Sequence, residues 1–438
     1  MYFLYRILTA AGMFLIGPYY AWRGWRRGEP ANRLWERFGG VPFEISDRAK
    51  AAPGAIWIHA VSVGEVLAAQ PLVARLKACT GRPVFVSTTT ETGRRLARER
   101  LQSADGIFYF PLDWVVPVRR ALRAIRPAIV IIMETEIWPN FLREARRSDI
   151  PVVFVNARIS ERSFARFERW KFLVGEFYKR VLRDVEAFLA QTPHDAERLR
   201  EMGASEDRVE VIGNLKYDSE PPQATPFGVW FLAQIRQQER WPVLVAGSVV
   251  AEEEEAVLAA YDIVQRQWRR ALLVLAPRKP ERFDAAANIS AERGWTVIRR
   301  TRLSLEAPLD ENADILLLDS IGELGGLYAL ADAVFVGGSL VPSGGHNILE
   351  PAWFSKPPVF GSSMENFRDM SNQFLAARAG VQVASGQQLG KVWVQLIEDN
   401  SLRERMGQAA RELSERNRGA TARALARITA LLGEERLA

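Results

Sequence analysis

From residue 54 onward, short apolar runs alternate with longer amphipathic stretches. The runs are rich in β-branched residues and are bounded by turn residues, which predicts buried strands. Stretches such as 64–78, 91–103 and 116–125 have the spacing of helices. Strands that alternate with helices predict parallel sheets covered on both faces. The runs of the first half are 55–62, 83–89, 106–112, 128–134, 151–157, 186–192 and 209–214.

The alternation stops at residues 217–227, which contain three prolines and no periodicity, and which we interpret as an inter-domain linker. We therefore expect two Rossmann-like, doubly wound α/β domains, 23–216 and 228–438, with a ligand-binding cleft between the carboxyl ends of their sheets. The second domain is expected to end in a charged helical tail, 401–437. Its apolar runs are 242–248, 271–277, 295–300, 314–320, 333–339, 357–362 and 381–385.

Within residues 1–22, the stretch from residue 7 to residue 22 carries no charged side chain; Arg6 precedes it and Arg23 follows it. Aromatic residues lie at both ends of the segment, as they do at membrane interfaces. Further arginines follow, which places residue 23 onward in the cytoplasm by the positive-inside tendency. The pattern favours a membrane anchor over a buried core helix, and leaves open whether the segment spans the bilayer or lies flat on it. A cleaved signal peptide is disfavoured, because a basic start and a small-residue cleavage site are both missing.

The amino-acid composition limits the kinds of partner and site that the protein is expected to have. The 438 residues include 58 Lys and Arg against 52 Asp and Glu, a net charge of +6 that favours an anionic partner such as a nucleotide phosphate or membrane lipid. The basic residues are spread out rather than grouped with aromatic ones, which argues against nucleic acid. A single cysteine excludes an intrachain disulfide, and three histidines make a His-rich metal site improbable.

Two clusters of acids follow predicted strands of the first half. Glu65 lies in HAVSVGEV (59–66), in the first turn of a predicted helix, where it could act as a general base or simply complement the helix dipole. Glu134 and Glu136 lie in METEIWPN (133–140), two residues apart at a strand end, and should share a face. They are either site residues or ordinary loop acids.

Three clusters of the second half could bind an anion or a nucleotide. Arg278 and Lys279 end a strand in APRKPERF (276–283), where a planar guanidinium suits a phosphate. In DSIGELGGLYALAD (319–332), Gly322 and Glu323 begin a predicted helix whose amides could hold a base or a ribose.

FVGGSLVPSGGHNILEPA (335–352) is the most specific of these clusters. Gly344 and Gly345 precede Asn347, which is expected to cap a helix that begins near Ile348 and to form an anion site there. Glu350, one turn later, could accept hydrogen bonds from ribose hydroxyls. The dinucleotide fingerprint G-x-G-x-x-G is missing after these strands, which argues against NAD.

In order and spacing, these motifs resemble the Kdo transferases, the 3-deoxy-D-manno-octulosonic acid transferases of lipopolysaccharide synthesis. The resemblance rests on HAVSVGE, METEIWPN, VNARIS, NLKYD, PRKPERF, DSIGEL, FVGGSL, GGHNILEPA and ENFRDM, and it extends from the N-terminus to about residue 425. It implies a GT-B fold, CMP-Kdo as donor, a lipid A precursor of the lipid IVA type as acceptor, and reaction at the cytoplasmic side of the inner membrane. No metal or other cofactor is expected, consistent with the missing DxD pair.

The resemblance also implies roles for single residues. The glutamate of the VGE motif is the proposed base, which is Glu65 here. Apart from the resemblance, we take Glu136 as the next candidate for the base. Contacts with CMP are implied for Pro277, Arg278, Ile321, Gly322, Glu323, Asn347, Ile348, Leu349 and Glu350. From the residues alone we add Lys279, Gly344 and Gly345 to this nucleotide site.

Two positions depart from the family pattern: Val250 and Lys279 stand where histidines are usual. A lysine can still bind a phosphate, so CMP binding should survive.

Other functions remain open on the residues alone. They are another GT-B transferase, a sugar-nucleotide epimerase, and a two-lobed sugar-binding protein without catalysis.

Overall fold

A computed structural model describes residues 1–7, 9–12 and 31–433, with only the backbone for residues 31–33. The chain divides into two compact units. Unit 1 comprises Met1–Ser219 and Asn417–Ala438, and unit 2 comprises Glu220–Arg416. The division after Ser219 falls inside the predicted linker.

Unit 1 is built on a seven-stranded parallel sheet in the order β3-β2-β1-β4-β5-β6-β7. Its strands have both faces buried, which explains why they read as continuous apolar runs. One hydrophobic core lies on each face of the sheet. The strands are β1 (Ala55–His59), β2 (Val84–Thr88), β3 (Gly106–Tyr109), β4 (Pro127–Met133), β5 (Val152–Ala157), β6 (Ala187–Ala190) and β7 (Val209–Val211).

Helices cover this sheet on both faces. They are α1 (residues 2–7 and 9–12), α2 (Ala31–Arg37), α3 (Phe43–Ala51), α4 (Val63–Thr80), α5 (Glu91–Arg100), α6 (Val115–Ile125), α7 (Pro139–Arg147), α8 (Glu161–Leu182) and α9 (Pro193–Glu201). Short 3-10 helices lie at Glu206–Arg208 and Leu215–Asp218.

Unit 2 repeats the plan with a second parallel sheet in the order β10-β11-β9-β8-β12-β13-β14. Its strands are β8 (Val243–Val249), β9 (Leu272–Pro277), β10 (Val297–Arg299), β11 (Ile315–Leu317), β12 (Ala333–Val336), β13 (Pro358–Phe360) and β14 (Val381–Gln382). The helices are α10 (Pro226–Gln237), α11 (Glu254–Gln267), α12 (Phe283–Glu292), α13 (Leu324–Leu327), α14 (Leu349–Ala352), α15 (Arg368–Ala376), α16 (Gly386–Glu398) and α17 (Asn400–Arg416). Short 3-10 helices lie at Pro280–Arg282, Arg300–Arg302, Tyr328–Leu330 and Glu365–Phe367.

The two sheets reverse their strand order at equivalent places. In unit 1 the chain adds β2 and β3 on one side of β1 and then continues on the other side with β4; in unit 2 the same reversal falls between β8 and β12. The carboxyl ends of the strands at such a reversal form the crevice in which open α/β sheets bind ligands.

The C-terminal helix corrects one predicted boundary. The tail was assigned with 228–438 to the second domain, but α18 (Ala420–Leu431) packs on unit 1. Ala420, Ala424 and Ile428 are four residues apart, so they share one helix face, and that face is buried in the core of unit 1. Asp218 accepts hydrogen bonds from the amides of Gly419 at 2.6 Å and Thr421 at 2.5 Å.

The first residues contact unit 1 through polar side chains. The Tyr5 hydroxyl donates to Asp113 Oδ2 at 2.8 Å, and Arg6 Nη2 lies 3.0 Å from Glu144 Oε1. The predicted anchor extends from residue 1 to residue 22, and its second half lies outside the described residues. Within the part of the chain that the structure describes, no helix has both the length and the apolar character needed to cross a bilayer.

Candidate active site

Glu65 lies where the chain leaves the central strand β1 and enters α4. Ser62 caps the helix: its hydroxyl accepts from the Glu65 amide at 3.3 Å, while Glu65 Oε1 accepts from the Ser62 amide at 3.2 Å. The second oxygen, Oε2, accepts from the Val61 amide at 2.7 Å. This capping box fixes the carboxylate at the strand-order reversal, with only 5% of the residue exposed.

Glu134 and Glu136 follow the neighbouring strand, β4, which ends at Met133. Their predicted place on one face of a strand is wrong, because Glu134 has a left-handed backbone (φ 54) and turns the chain out of the sheet. Both side chains are half-buried. Because β1 and β4 are paired in parallel, their carboxyl ends meet, and three carboxylates therefore gather at one edge of the sheet.

The electrostatics of this acidic group distinguish Glu65 from an ordinary helix-capping acid. Burial raises the pKa of Glu65 to about 7, and the charges of Glu134 and Glu136 add to the rise. Hydrogen bonds with the Val61 amide and the Ser62 side chain oppose it. Burial and the charge of Glu134 also raise the pKa of Glu136. A carboxylate with a pKa near neutrality can both accept and release a proton at physiological pH.

Lys216 brings a positive charge to the same group, with Nζ 3.9 Å from Glu134 Oε1. Burial lowers the pKa of Lys216, and the charge of Glu134 opposes that shift. The segment that carries the lysine is fixed by two amide side chains: Asn156 Oδ1 accepts from the Leu215 amide at 2.9 Å, and Asn214 Oδ1 accepts from the Lys216 amide at 2.9 Å.

Asn156 is a positioning residue that the sequence reading missed. It is fully buried and has a left-handed backbone (φ 60) at the end of β5. A polar residue that ends an apolar strand was the available signal. It lies in the VNARIS motif quoted above for the family resemblance.

In unit 2, Arg278 and Lys279 extend from the carboxyl end of β9, directly after Pro277. The Arg278 amide donates to the Val249 carbonyl at 2.7 Å, which ties the turn to β8, and both side chains are exposed. With Arg282 they line a pocket of about 350 Å³ whose other wall includes Val250. The two departures from the family pattern, Val250 and Lys279, therefore face the same pocket.

Glu350 and His346 lie within the electrostatic reach of Arg278. Burial raises the pKa of Glu350, while the Arg278 charge and a hydrogen bond with Asn347 oppose the rise. Burial and the Arg278 charge lower the pKa of His346 to about 4, so its imidazole is neutral at physiological pH. Arg278 and Asn347 thus both act on the buried carboxylate of Glu350.

The predicted helix start near Ile348 is confirmed, since α14 begins at Leu349 and is a single turn, Leu349–Ala352. The anion site expected there stays a prediction. The glycine amides before it are already bonded within the chain: Gly344 donates to Ser363 Oγ at 3.0 Å and Gly345 to the Gly338 carbonyl at 2.7 Å. Asn347 Oδ1 does accept from the Leu349 amide at 3.2 Å.

The helix start predicted at Gly322 and Glu323 is confirmed, because Glu323 is the N-cap residue of α13. Gly322 has a positive φ of 93, which a side chain would disfavour, and Ile321 is 79% exposed. Glu323 pairs with Arg300 at 2.9 Å and accepts from the Ser320 hydroxyl. Its carboxylate is therefore held by neighbours, while the Ile321 side chain remains open to a ligand.

Glu253 is the second residue that the sequence reading missed. Its carboxylate is fully buried and accepts four backbone N–H bonds. The donors are Val250 at 3.0 Å, Gly338 at 2.6 Å, and Ser339 and Leu340 at 2.8 Å each. It fixes the glycine-containing turn after β12 to the turn after β8. Nothing marked it among the four consecutive glutamates 252–255.

Among the residues that the structure describes, no group of three or more His, Cys, Asp and Glu side chains is arranged so that it could hold a metal ion.

Comparison with solved structures defines the class of fold. A glycosyltransferase from Rickettsia africae matches with a TM-score of 0.56 and 13% identity over 87% of this chain and 99% of that one. The UDP-GlcNAc 2-epimerase from Neisseria meningitidis matches with a TM-score of 0.55 and 14% identity over 86% and 100%. At such identities the likeness concerns the fold alone, which is that of the two-domain GT-B class.

Sequence comparison then identifies the family. The family model described as 3-deoxy-D-manno-octulosonic-acid transferase (kdotransferase) matches residues 32–219. The 3-deoxy-D-manno-octulosonic acid transferase of Haemophilus influenzae is 33% identical over 90% of both chains, and that of Bordetella pertussis is 33% identical over 93% of this chain and 95% of its own. The chain belongs to the 3-deoxy-D-manno-octulosonic acid transferase family, and it is therefore a glycosyltransferase of lipopolysaccharide synthesis.

Proposed function

We propose that the protein transfers Kdo from CMP-Kdo to a hydroxyl group of a lipid A precursor, with Glu65 as the general base and without a bound metal. Membership of the family supports the sugar that is transferred. The observation that carries the catalytic assignment is the buried Glu65, whose pKa of about 7 suits it to proton transfer.

In this mechanism Glu65 accepts the proton of the acceptor hydroxyl as its oxygen bonds to the anomeric carbon of Kdo. The bond from that carbon to the phosphate oxygen breaks, and CMP leaves with the electron pair. The proton stays on Glu65 and passes to solvent after the product leaves. Glu136, whose pKa is also raised by burial, is the next candidate for the base.

The donor is assigned to unit 2. Arg278 is the proposed phosphate ligand, since its guanidinium is exposed at a strand end and its charge reaches Glu350. Glu350 is proposed to accept hydrogen bonds from the ribose, and Pro277, Ile321 and Asn347 are proposed to contact the nucleotide. Lys279 supplies a second cation on the same pocket, which supports phosphate binding without the usual histidine.

The acceptor is a lipid, so the reaction is proposed to take place at the cytoplasmic side of the inner membrane. Residues 1–22 are the proposed attachment, because their apolar area is the main hydrophobic feature of the N-terminus. Deleting them is expected to shift the protein toward the soluble fraction.

The deciding experiment is incubation of the purified protein with CMP-Kdo and a tetraacylated lipid A precursor, with products read by mass spectrometry. A mass gain of one or more Kdo residues is expected, and it should be unchanged by EDTA. Replacing CMP-Kdo by UDP-GlcNAc is the matched control and should give no product. Transfer from the UDP-sugar alone would reject the donor assignment, and strong inhibition by EDTA would reject the metal-free mechanism.

A further inference from the structure

Arg282 is a fixed cation in the pocket that Arg278 and Lys279 also line. It ends the 3-10 helix Pro280–Arg282, which follows β9. Its Nε donates to Glu254 Oε1 at 3.0 Å, its Nη2 lies 2.9 Å from the same oxygen, and Glu254 is 1% exposed. A buried carboxylate therefore holds this guanidinium in one orientation, which a solvated surface arginine does not have.

The guanidinium keeps N–H groups for a ligand. The contacts with Glu254 engage Nε and Nη2, whereas Nη1 makes no hydrogen bond to any residue that the structure describes. The side chain is 31% exposed, so a molecule in the pocket can reach it. Because a guanidinium presents its donors as a planar fork, Arg282 can bind a second carboxylate while the first one orients it.

The other walls of the pocket leave recognition of a ligand to its cations. Val250 and Val341 are apolar walls, and Glu252, an exposed residue, is the single acid among the described residues that line it. Apart from the Ser343 hydroxyl, the hydrogen-bond donors among the lining side chains are the three cations of residues 278–282. Such a pocket suits an anionic ligand.

The two arginines of the pocket have different neighbours. The charge of Arg278 acts on Glu350, the proposed ligand of the ribose, so Arg278 lies on the nucleotide side. Arg282 lies four residues later and pairs with Glu254, where α11 begins. The pocket therefore offers two guanidinium groups in two settings, as a ligand with two separate anionic groups requires.

The proposed donor is a ligand of this kind. Kdo is a 2-keto sugar acid, so the anomeric carbon of CMP-Kdo carries both the phosphate oxygen and the carboxylate. We propose that Arg282 binds this carboxylate while Arg278 binds the phosphate, and that Arg282 thereby selects a sugar acid over a neutral sugar. Glu254 is the positioning residue for Arg282. This inference rests on the proposed function, because it takes CMP-Kdo as the molecule that binds in unit 2.

Arg282→Gln separates recognition of the sugar from recognition of the nucleotide. The KM for CMP-Kdo in the product assay should rise about tenfold or more, because a charge-assisted contact with the carboxylate is lost. The Kd for CMP, which has no carboxylate, should change less than about twofold in calorimetric titration, because salt screens the more distant charge. Arg266→Gln removes the same charge from an exposed position on α11 outside the pocket, and this matched control should change neither constant.

A second variant guards against a loss of stability. Arg282→Gln alone leaves the buried Glu254 without its cation, which costs stability. Arg282→Gln combined with Glu254→Gln removes both charges, so this double variant should melt close to the wild-type temperature. It should show the same selective rise in the KM for CMP-Kdo.

Two results in the double variant would overturn the proposal. Equal losses of affinity for CMP and for CMP-Kdo would make Arg282 a ligand of the nucleotide, and an unchanged KM for CMP-Kdo would make its pair with Glu254 purely structural. Either result leaves the proposed function intact, because the wild-type protein still transfers Kdo. A wild-type protein that binds CMP but transfers no Kdo would instead overturn the proposed function and this inference with it.

Discussion

Two glutamates occupy equivalent places in the two units and meet different surroundings. Glu65 follows β1 and Glu253 follows β8, and each of these strands lies at the reversal of strand order in its sheet. Glu253 is fully buried and accepts four backbone N–H bonds, all from the turns around it. Glu65 accepts two and has two other carboxylates in its electrostatic neighbourhood.

The difference separates a structural carboxylate from a chemical one. A carboxylate whose lone pairs are taken up by amides holds two turns together and has little capacity left for a substrate. One that is buried with few donors and beside like charges keeps a raised pKa, and proton transfer is what such a group does well. This contrast assigns a structural role to Glu253 and supports the catalytic role proposed for Glu65.

The largest expected effect tests the structural half of this contrast. Glu253→Ala should lower stability by about 3 kcal/mol or more, because four backbone N–H groups lose a charged acceptor at once. Thermal and denaturant melting should both report the loss. Glu255→Ala, two residues further on and exposed, is the matched control and should change stability by less than about 0.5 kcal/mol. Equal melting of the two variants would contradict the structural role.

The chemical half is tested by Glu65→Gln. Transfer should fall about 100-fold or more, since an amide cannot take the proton of the attacking hydroxyl. CMP affinity should be unchanged, and the melting temperature at pH 7 should not fall. The glutamine side chain can still accept the hydrogen bond of the capping box. The neutral amide also avoids the cost of burying a charged carboxylate, which is the cost that raises the pKa of Glu65. Near-normal turnover at saturating substrates would move the base to Glu136.

Much of this arrangement could be read from the sequence, and the parts that could not have physical reasons. The succession of strands and helices follows from the alternating runs, and the place of Glu65 follows from the helix start predicted after the first strand. The role of Glu253 could not be predicted, because any of the four successive glutamates 252–255 could begin the helix. The position that binds the turn after β12 is selected by amides 85 to 87 residues away. Local patterns carry no information about such a partner.

The C-terminal helix shows the same limit. Its stripe of Ala420, Ala424 and Ile428 predicts a buried face, but an amphipathic pattern does not say which core will bury it. The motif around Asn347 is a local signal by contrast, and a helix does begin there: α14 spans Leu349–Ala352.

Glu350 is a carboxylate of unit 2 that is proposed to bind the ribose of CMP, so it can be compared with the structural carboxylate Glu253. Arg278→Ala and Glu350→Ala should each weaken CMP binding about tenfold, because each removes one charge-assisted hydrogen bond. Calorimetric titration with CMP measures this. Glu281→Ala, close in sequence to Arg278 but outside the residues that line the pocket, is the control. An unchanged affinity in Glu350→Ala would class Glu350 with Glu253 as structural.

The smallest effect concerns the pH at which Glu65 works. A base must be ionised, and since burial raises the pKa of Glu65 to about 7, transfer should fall as the pH drops below about 7 and level off above it. The charge of Glu134 contributes to that rise as the second cause after burial. Glu134→Gln should therefore move the rising limb of the pH–rate profile to lower pH, by less than about one unit, because the larger cause remains. Asp105→Asn, a partly buried acid that pairs with Lys77 elsewhere in unit 1, should leave the midpoint in place. A midpoint that moves to higher pH in Glu134→Gln would mean that Glu134 acts on the base mainly through Lys216, by keeping that cation charged and close to Glu65, where it favours the ionised base.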